Sequence, residues 1–233
     1  MTNIHVKIVS DTVCPWCYIG KKRLDKAIEL WRKVYPGGKD DTFTVTWSPF
    51  YLDPTAPKKG IPLVEGMIAK FGPARVPALQ QRLAQAGRSE GINMTFDSIF
   101  GNTRDSHRLI EFGKTKGNDA ENRVVLELFK SYFENAGDIT SHAMLIEAAE
   151  KAGLDKAEAK EWLETGKGGK EVDEAVDQAY AKGIHGVPNF TIQGKYDLGG
   201  AQEPEAFIEL FAKAKEEKPN GAAPVNGANG PQC

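Results

Sequence analysis

Within the first fifty residues the hydrophobic period changes twice, and this change constrains the fold more than any other feature. Ile4 to Val9 alternates apolar and polar, with Ile4, Val6 and Ile8 on one side, as a half-buried strand does. Ser10-Asp11-Thr12 supplies turn and capping residues. Leu24, Ala27, Ile28, Trp31 and Val34 then recur at helical spacing until Pro36-Gly37-Gly38 breaks the pattern. Phe43, Val45 and Trp47 alternate again. Strand, helix and strand in that order read as a parallel βαβ unit.

The middle of the chain has a different rhythm. From about Pro62 to Gly183 the period is mainly helical, with Pro77 suited to a first helical turn and Ser141 and Asp155 as candidate caps. Val125, Leu128, Phe129, Tyr132 and Phe133 form one apolar stripe, and Val172, Ala175, Val176 and Ala179 another. Such stripes read as core packing. Strand signals return at Asn189 to Ile192 and at Tyr196-Asp197-Leu198, joined through Gly194. Pro204 then opens a last helix carrying Phe207, Leu210 and Phe211.

The expected architecture is therefore α/β. Residues 1–60 and 184–215 build one sheet-containing domain, residues 61–183 form an inserted all-helical subdomain, and residues 216–233, rich in Pro, Gly, Asn and Ala, form a disordered tail. A formal net charge of -2 favours neither nucleic acid nor an anionic membrane as partner. No apolar run approaches the ~20 residues that a membrane helix needs. The N-terminus reads as a strand rather than a basic and apolar leader, so a cytoplasmic location is the expectation.

The chemistry points to Cys14-Pro15-Trp16-Cys17. The chain has three cysteines, too few for a disulfide-stapled scaffold, and two of them share this motif. Cys14 falls at the mouth of the first helix, where free backbone N–H groups and the helix dipole favour a thiolate. Cys14 is thus the expected nucleophile. Cys17, one turn on, is placed to resolve a mixed disulfide. Pro15 in the first turn costs little, because its missing N–H has no helical partner there. Pro15 and Trp16 should set access to the sulfurs and tune the redox balance. Zinc wants four ligands, and no second Cys pair or His pair accompanies this one. A purely structural disulfide would close too small a loop to stabilise much. Far downstream stands Gly186-Val187-Pro188-Asn189. A cis peptide at Pro188 would leave the Val187 backbone free to pair with an extended partner.

Asp11-Thr12-Val13-Cys14-Pro15-Trp16-Cys17-Tyr18-Ile19-Gly20, followed much later by Gly186-Val187-Pro188-Asn189-Phe190, resembles the DsbA-like, FrnE-type branch of the thioredoxin superfamily. Asn102-Thr103-Arg104 leading into His107-Arg108-Leu109, Tyr132-Phe133 before Asp138-Ile139, and Gly199-Gly200-Ala201-Gln202 match in order. The resemblance covers about residues 4 to 215. It implies a thioredoxin fold with a helical insertion, a cis-Pro188 facing Cys14, and disulfide oxidase, reductase or isomerase activity. Related branches, the 2-hydroxychromene-2-carboxylate isomerases and kappa-class glutathione transferases, carry serine at the first cysteine position. Cys14 and Cys17 are both present here, which favours redox exchange over the alternative, a glutathione-dependent isomerase or transferase. A non-enzymatic module that keeps the fold as a scaffold is the third reading. Ser106 departs from the alanine expected before His-Arg, and Cys233 lies outside the resemblance.

Arg104, His107 and Arg108 lie at i, i+3 and i+4, so one helix face can present all three. The functional reading has Arg104 or Arg108 attracting a carboxylate of glutathione or of a peptide. The bland reading is a solvated basic face. His185 can approach the cysteines or be an ordinary loop histidine. Expected substrate contacts are thus Val187, Pro188, Asn189, Asn102, Arg104, His107 and Arg108. No metal and no resident cofactor are expected; glutathione enters only as a candidate co-substrate. The expected partner is a thiol or disulfide, protein or glutathione.

Overall fold

The computed structural model describes residues 1–216. The tail expected to be disordered, and Cys233 with it, lies outside the described residues except for Glu216, which closes the last helix.

Strand β1 (Asn3–Ser10) carries Ile4, Val6 and Ile8 fully buried, so its alternation is the pattern of one face turned to the core. Helix α1 (Pro15–Val34) crosses over to β2 (Thr42–Pro49), which runs parallel to β1 with Ile8 opposite Trp47. Gly37 stands at φ 72°, a left-handed turn that glycine makes without strain, and Gly38–Asp40 follows as one 3-10 turn. At the far end of the chain, β5 (Asn189–Ile192) pairs antiparallel with β1 and places Phe190 opposite Ile8. β6 (Tyr196–Gly199) pairs antiparallel with β5 through the turn at Gly194. The sheet order is β2-β1-β5-β6.

Between β2 and β5 lie β3 (Ile61–Pro62), α2 (Leu63–Phe71), α3 (Val76–Ser89), β4 (Ile99–Phe100), α4 (Arg104–Thr115), α5 (Asn118–Phe133), α6 (His142–Lys151), α7 (Lys156–Glu164) and α8 (Gly169–Ala181). This stretch is helical apart from β3 and β4, which form their own antiparallel ladder of two residue pairs. The Asp155 side chain caps α7 by accepting from Glu158 N at 2.8 Å, an interaction of about 1 kcal/mol. Ser141 does stand at the N-cap of α6, but its side chain makes no capping bond.

The helical stretch shares its core with the sheet. Phe129 of α5 stacks on Tyr18 of α1 at 5.2 Å and meets Trp47 of β2 edge-on at 6.0 Å. Helix α9 (Pro204–Glu216) closes the other side: Phe207 meets Phe190 edge-on at 4.9 Å, and Phe211 meets Trp31 at 5.8 Å. Its Lys215 pairs with Asp41, a fully buried carboxylate that also accepts from the Trp31 indole at 3.0 Å and from Thr2 N at 2.9 Å. The first and last elements are thereby held together around β1, which fixes where the cysteine motif sits.

Candidate active site

The cysteine motif leaves the C-terminal end of β1. Cys14 N donates to Asp11 O at 3.1 Å and Cys17 N donates to Cys14 O at 3.0 Å, so the chain turns directly into α1. Cys14 is the N-cap residue, with extended backbone, and Pro15 occupies the first helical position as its missing N–H allows. Both thiols are free, 3% exposed for Cys14 and 0% for Cys17. Their surroundings differ. The Cys14 thiol faces the Val187 carbonyl oxygen at 3.6 Å. Burial pushes the Cys17 thiol well above the ordinary cysteine range, reinforced by the neighbouring Cys14, while the Ser10 hydroxyl and the Asp11 backbone pull the other way without cancelling it. Cys17 therefore holds its proton at neutral pH.

The second element arrives with β5. The Val187–Pro188 peptide bond is cis, and Pro188 is buried, its carbonyl accepting from Gly200 N at 2.8 Å. Val187 and Asn189 are half-buried. Gly20 lets α1 come this close: a Cβ placed there would lie 3.0 Å from Phe190 Cζ and 3.2 Å from Pro188 Cγ. Trp16 is half-buried against α3, where the Arg82 guanidinium lies over its ring at 5.6 Å.

The expected basic face corrects itself in the structure. Arg104, His107 and Arg108 do share one face of α4, but Arg108 and His107 point into the protein, each 3% exposed. Arg108 donates through Nε to Lys167 O at 2.8 Å and through Nη2 to Trp162 O at 2.8 Å and Leu163 O at 3.0 Å. Its Nη1 pairs with Asp105 at 2.6 Å. These carbonyls lie at and just beyond the last turn of α7, which lacks intrahelical donors, so Arg108 caps that helix and has no fork left for a substrate. His107 Nε2 lies 3.2 Å from Phe50 O and 3.5 Å from Asp11 Oδ1. Arg104 remains partly exposed in a bidentate pair with Asp173, at 2.8 and 2.7 Å. Asn102 accepts from Arg104 N at 3.0 Å and so helps start α4. His185 is exposed in the loop before β5.

What α4 does instead is brace the turn before Cys14. Ser106 Oγ lies 2.7 Å from Thr12 Oγ and donates to Thr103 O at 2.7 Å. Asp11 Oδ2 accepts from Leu52 N at 2.8 Å, tying the same turn to the chain after β2. Thr12, Ser106, Gly20 and Arg82 were not singled out as site residues by sequence reasoning. The departure at Ser106 was the one available signal, and its hydroxyl turns out to hold Thr12. Among the described residues no three His, Cys, Asp or Glu side chains converge as metal ligands would, and no helix is long and apolar enough to cross a membrane.

Comparison with known proteins agrees with this geometry. Residues 5–212 match the family model of the DsbA-like thioredoxin domain. The uncharacterised protein YwbO of Bacillus subtilis is 27% identical over 220 residues, spanning 92% of this chain and 99% of that protein. The crystal structure of a probable DsbA oxidoreductase from Streptomyces coelicolor superimposes with a TM-score of 0.82 at 28% identity, covering 98% of this chain and all of that one. A 2-hydroxychromene-2-carboxylate isomerase shares the fold at 17% identity, with a TM-score of 0.64 over 91% of this chain and 95% of its own. With its mixed four-stranded sheet, its helices and its cysteine pair at the start of α1, the chain belongs to the family of DsbA-like thioredoxin domains.

Proposed function

We propose that this protein is a thiol–disulfide oxidoreductase of the FrnE type, acting on protein or small-molecule thiols and disulfides through Cys14 and Cys17. One observation carries the reading: two free thiols share the start of α1 in unequal surroundings, Cys14 at the helix mouth against Val187 and Cys17 wholly enclosed with its proton held.

In the reducing direction the Cys14 thiolate attacks one sulfur of a partner disulfide. A bond forms between Cys14 Sγ and that sulfur, the partner S–S bond breaks, and the other sulfur leaves as a thiolate that takes up a proton. Cys17 then loses its proton and attacks Cys14 Sγ. The Cys14–Cys17 disulfide forms and the second partner sulfur leaves. The dithiol is oxidised by two electrons and the partner disulfide reduced by two. The reverse sequence oxidises a partner dithiol.

The Cys14 thiol is nearly closed off, so a partner has to replace its contact with the Val187 carbonyl. An extended chain lying along Val187 and Asn189 does so with a backbone N–H, and sets its sulfur beside Cys14. The elevated Cys17 thiol keeps the resolving sulfur from competing with Cys14 in the first step. Reduced glutathione in the cytoplasm is a co-substrate that fits this scheme.

The test is Cys17→Ala. The variant should accumulate a mixed disulfide with glutathione or a peptide disulfide, seen as an intact-mass increase that dithiothreitol reverses. Cys14→Ser should show none. Failure of Cys17→Ala to hold any partner would remove the reading. Full turnover of a small electrophile by Cys17→Ala with glutathione would favour the isomerase or transferase alternative.

A further inference from the structure

We infer that Arg82 of α3 is a specificity-determining residue that selects disulfide partners carrying a carboxylate close to the reacting sulfur. The inference rests on the exchange reading above and extends it to a class of substrate.

Three observations lead there. First, Arg82 is exposed, yet held over the Trp16 ring at 5.6 Å. A cation over an indole at a partly exposed site is stabilised by roughly 0.5–1 kcal/mol, enough to bias where the guanidinium rests. Second, Trp16 stands between Cys14 and Cys17 in the first turn of α1, so the contact anchors Arg82 to the cysteine motif itself.

Third, most of the other cations around the motif are committed to carboxylates, while Lys22 of α1 rests over the Tyr18 ring at 5.5 Å and carries a point charge without a guanidinium fork. Arg23 and Lys26 of α1 are both taken by Glu90, and Arg23 also by Glu203. Arg104 is paired with Asp173, and Arg108 with Asp105 and the end of α7. Lys21 is paired with Asp25. Among the described residues Arg82 has no carboxylate partner and no hydrogen bond. The guanidinium carbon lies over the Trp16 ring at 5.6 Å, a contact that consumes none of its N–H donors. Its N–H groups, which match a carboxylate in paired geometry, are therefore left for a partner. The sequence expectation of an anion-attracting arginine is thus reassigned from α4 to α3.

The partner class is a small or peptide disulfide with a nearby carboxylate, of which glutathione disulfide is the simplest. No new covalent step is involved. Arg82 acts before and during the attack by Cys14, lowering the energy of the encounter with an anionic partner relative to a neutral or cationic one.

The experiment is single-turnover oxidation of the fully reduced protein, with excess disulfide as the only oxidant, quenched by acid and read by alkylation and intact mass. Three disulfides form a charge series: glutathione disulfide (anionic), 2-hydroxyethyl disulfide (neutral) and cystamine (cationic). For Arg82→Ala the ratio of the glutathione disulfide rate to the 2-hydroxyethyl disulfide rate should fall about fivefold, as expected for one partly exposed charge pair. Arg82→Glu should lower it further and raise the cystamine ratio. Arg82→Lys should keep part of the preference, having charge without the fork. In about 1 M salt, where the Debye length is about 3 Å, the wild-type ratio should approach that of Arg82→Ala. A common change for all three disulfides, or no change in either ratio, would overturn the inference and leave the exchange reading standing. No reaction of the wild-type protein with any of the three would overturn both.

Discussion

Replacing Gly20 with alanine tests the spacing on which the site depends. Gly20 sits inside α1, where alanine is favoured over glycine by about 0.8–1.0 kcal/mol. If its surroundings were open, Gly20→Ala would stabilise the protein. They are not open: the added methyl carbon would lie 3.0 Å from Phe190 Cζ and 3.2 Å from Pro188 Cγ, inside the ~3.5–4.0 Å at which carbon atoms pack comfortably. Phe190 has little room to yield, being fully buried and edge-on against Phe207 at 4.9 Å. Overpacking of this kind costs about 1–3 kcal/mol. Set against the helix gain, the net change runs from about zero to a loss of roughly 2 kcal/mol. At about 2–4 °C per kcal/mol for a domain of this size, Tm falls by at most ~8 °C. The larger effect should be on exchange. Relief comes by moving Pro188 and Val187 away from α1, and Val187 O is the group that faces the Cys14 thiol at 3.6 Å. A shift of a few tenths of an ångström should slow oxidation by a peptide disulfide several-fold, as misplacement of reacting groups does. Calorimetry together with stopped-flow tryptophan fluorescence measures both. A Gly20→Ala protein that melts about 3 °C higher and exchanges at the wild-type rate would refute the reasoning.

Two further outcomes follow from buried charges. Arg108→Ala should cost about 3 kcal/mol or more, because it strips the cap from α7 and leaves the carbonyls of Trp162, Leu163 and Lys167 without their donor. Arg104→Ala, which breaks a partly exposed pair, should cost under ~1 kcal/mol; a stable Arg108→Ala protein with weakened substrate binding would contradict the capping role. At low pH, Asp41 supplies a dependence of known sign. Burial alone would raise its carboxyl, but Lys215, the Trp31 indole and the Thr2 N–H outweigh it and hold the group below its ordinary value of 3.8. Its stabilisation is complete above that value and is lost as pH falls through the lower folded value. Asp41→Asn should therefore flatten the loss of stability below about pH 4 in urea titrations, and an unchanged acid slope would count against this account.

The parts legible in the sequence are those where one local period decides the outcome. The alternation of Ile4, Val6 and Ile8 marks β1, and the stripe ending near Pro36 marks α1, because each face is read off a single element. The turn chemistry of Cys14-Pro15 is local too. What the sequence did not disclose depends on contacts made at a distance. β3 and β4 have two residues each, too few for any period, and exist through the pairing of Ile61 with Phe100 and Pro62 with Ile99. The spacing of Arg104, His107 and Arg108 defines a shared face without saying which way it points, and the packing of α7 and α8 on α4 turns most of it inward. Gly20 reads as an indifferent helical glycine until β5 brings Phe190 beside it. Arg82 reads as one more surface arginine until α3 folds back over Trp16.

The most direct test of the central claim is the redox equilibrium of the purified protein in glutathione buffers of graded composition, read by thiol alkylation and intact mass. Cys14 and Cys17 should interconvert as one internal dithiol–disulfide couple, losing two alkylation sites together. The midpoint then tells direction: near about -120 mV the protein is a strong oxidant, and near about -270 mV a thioredoxin-like reductant. If no internal disulfide forms at any poise, and Cys14 stays a free thiol or keeps glutathione, the exchange mechanism is wrong.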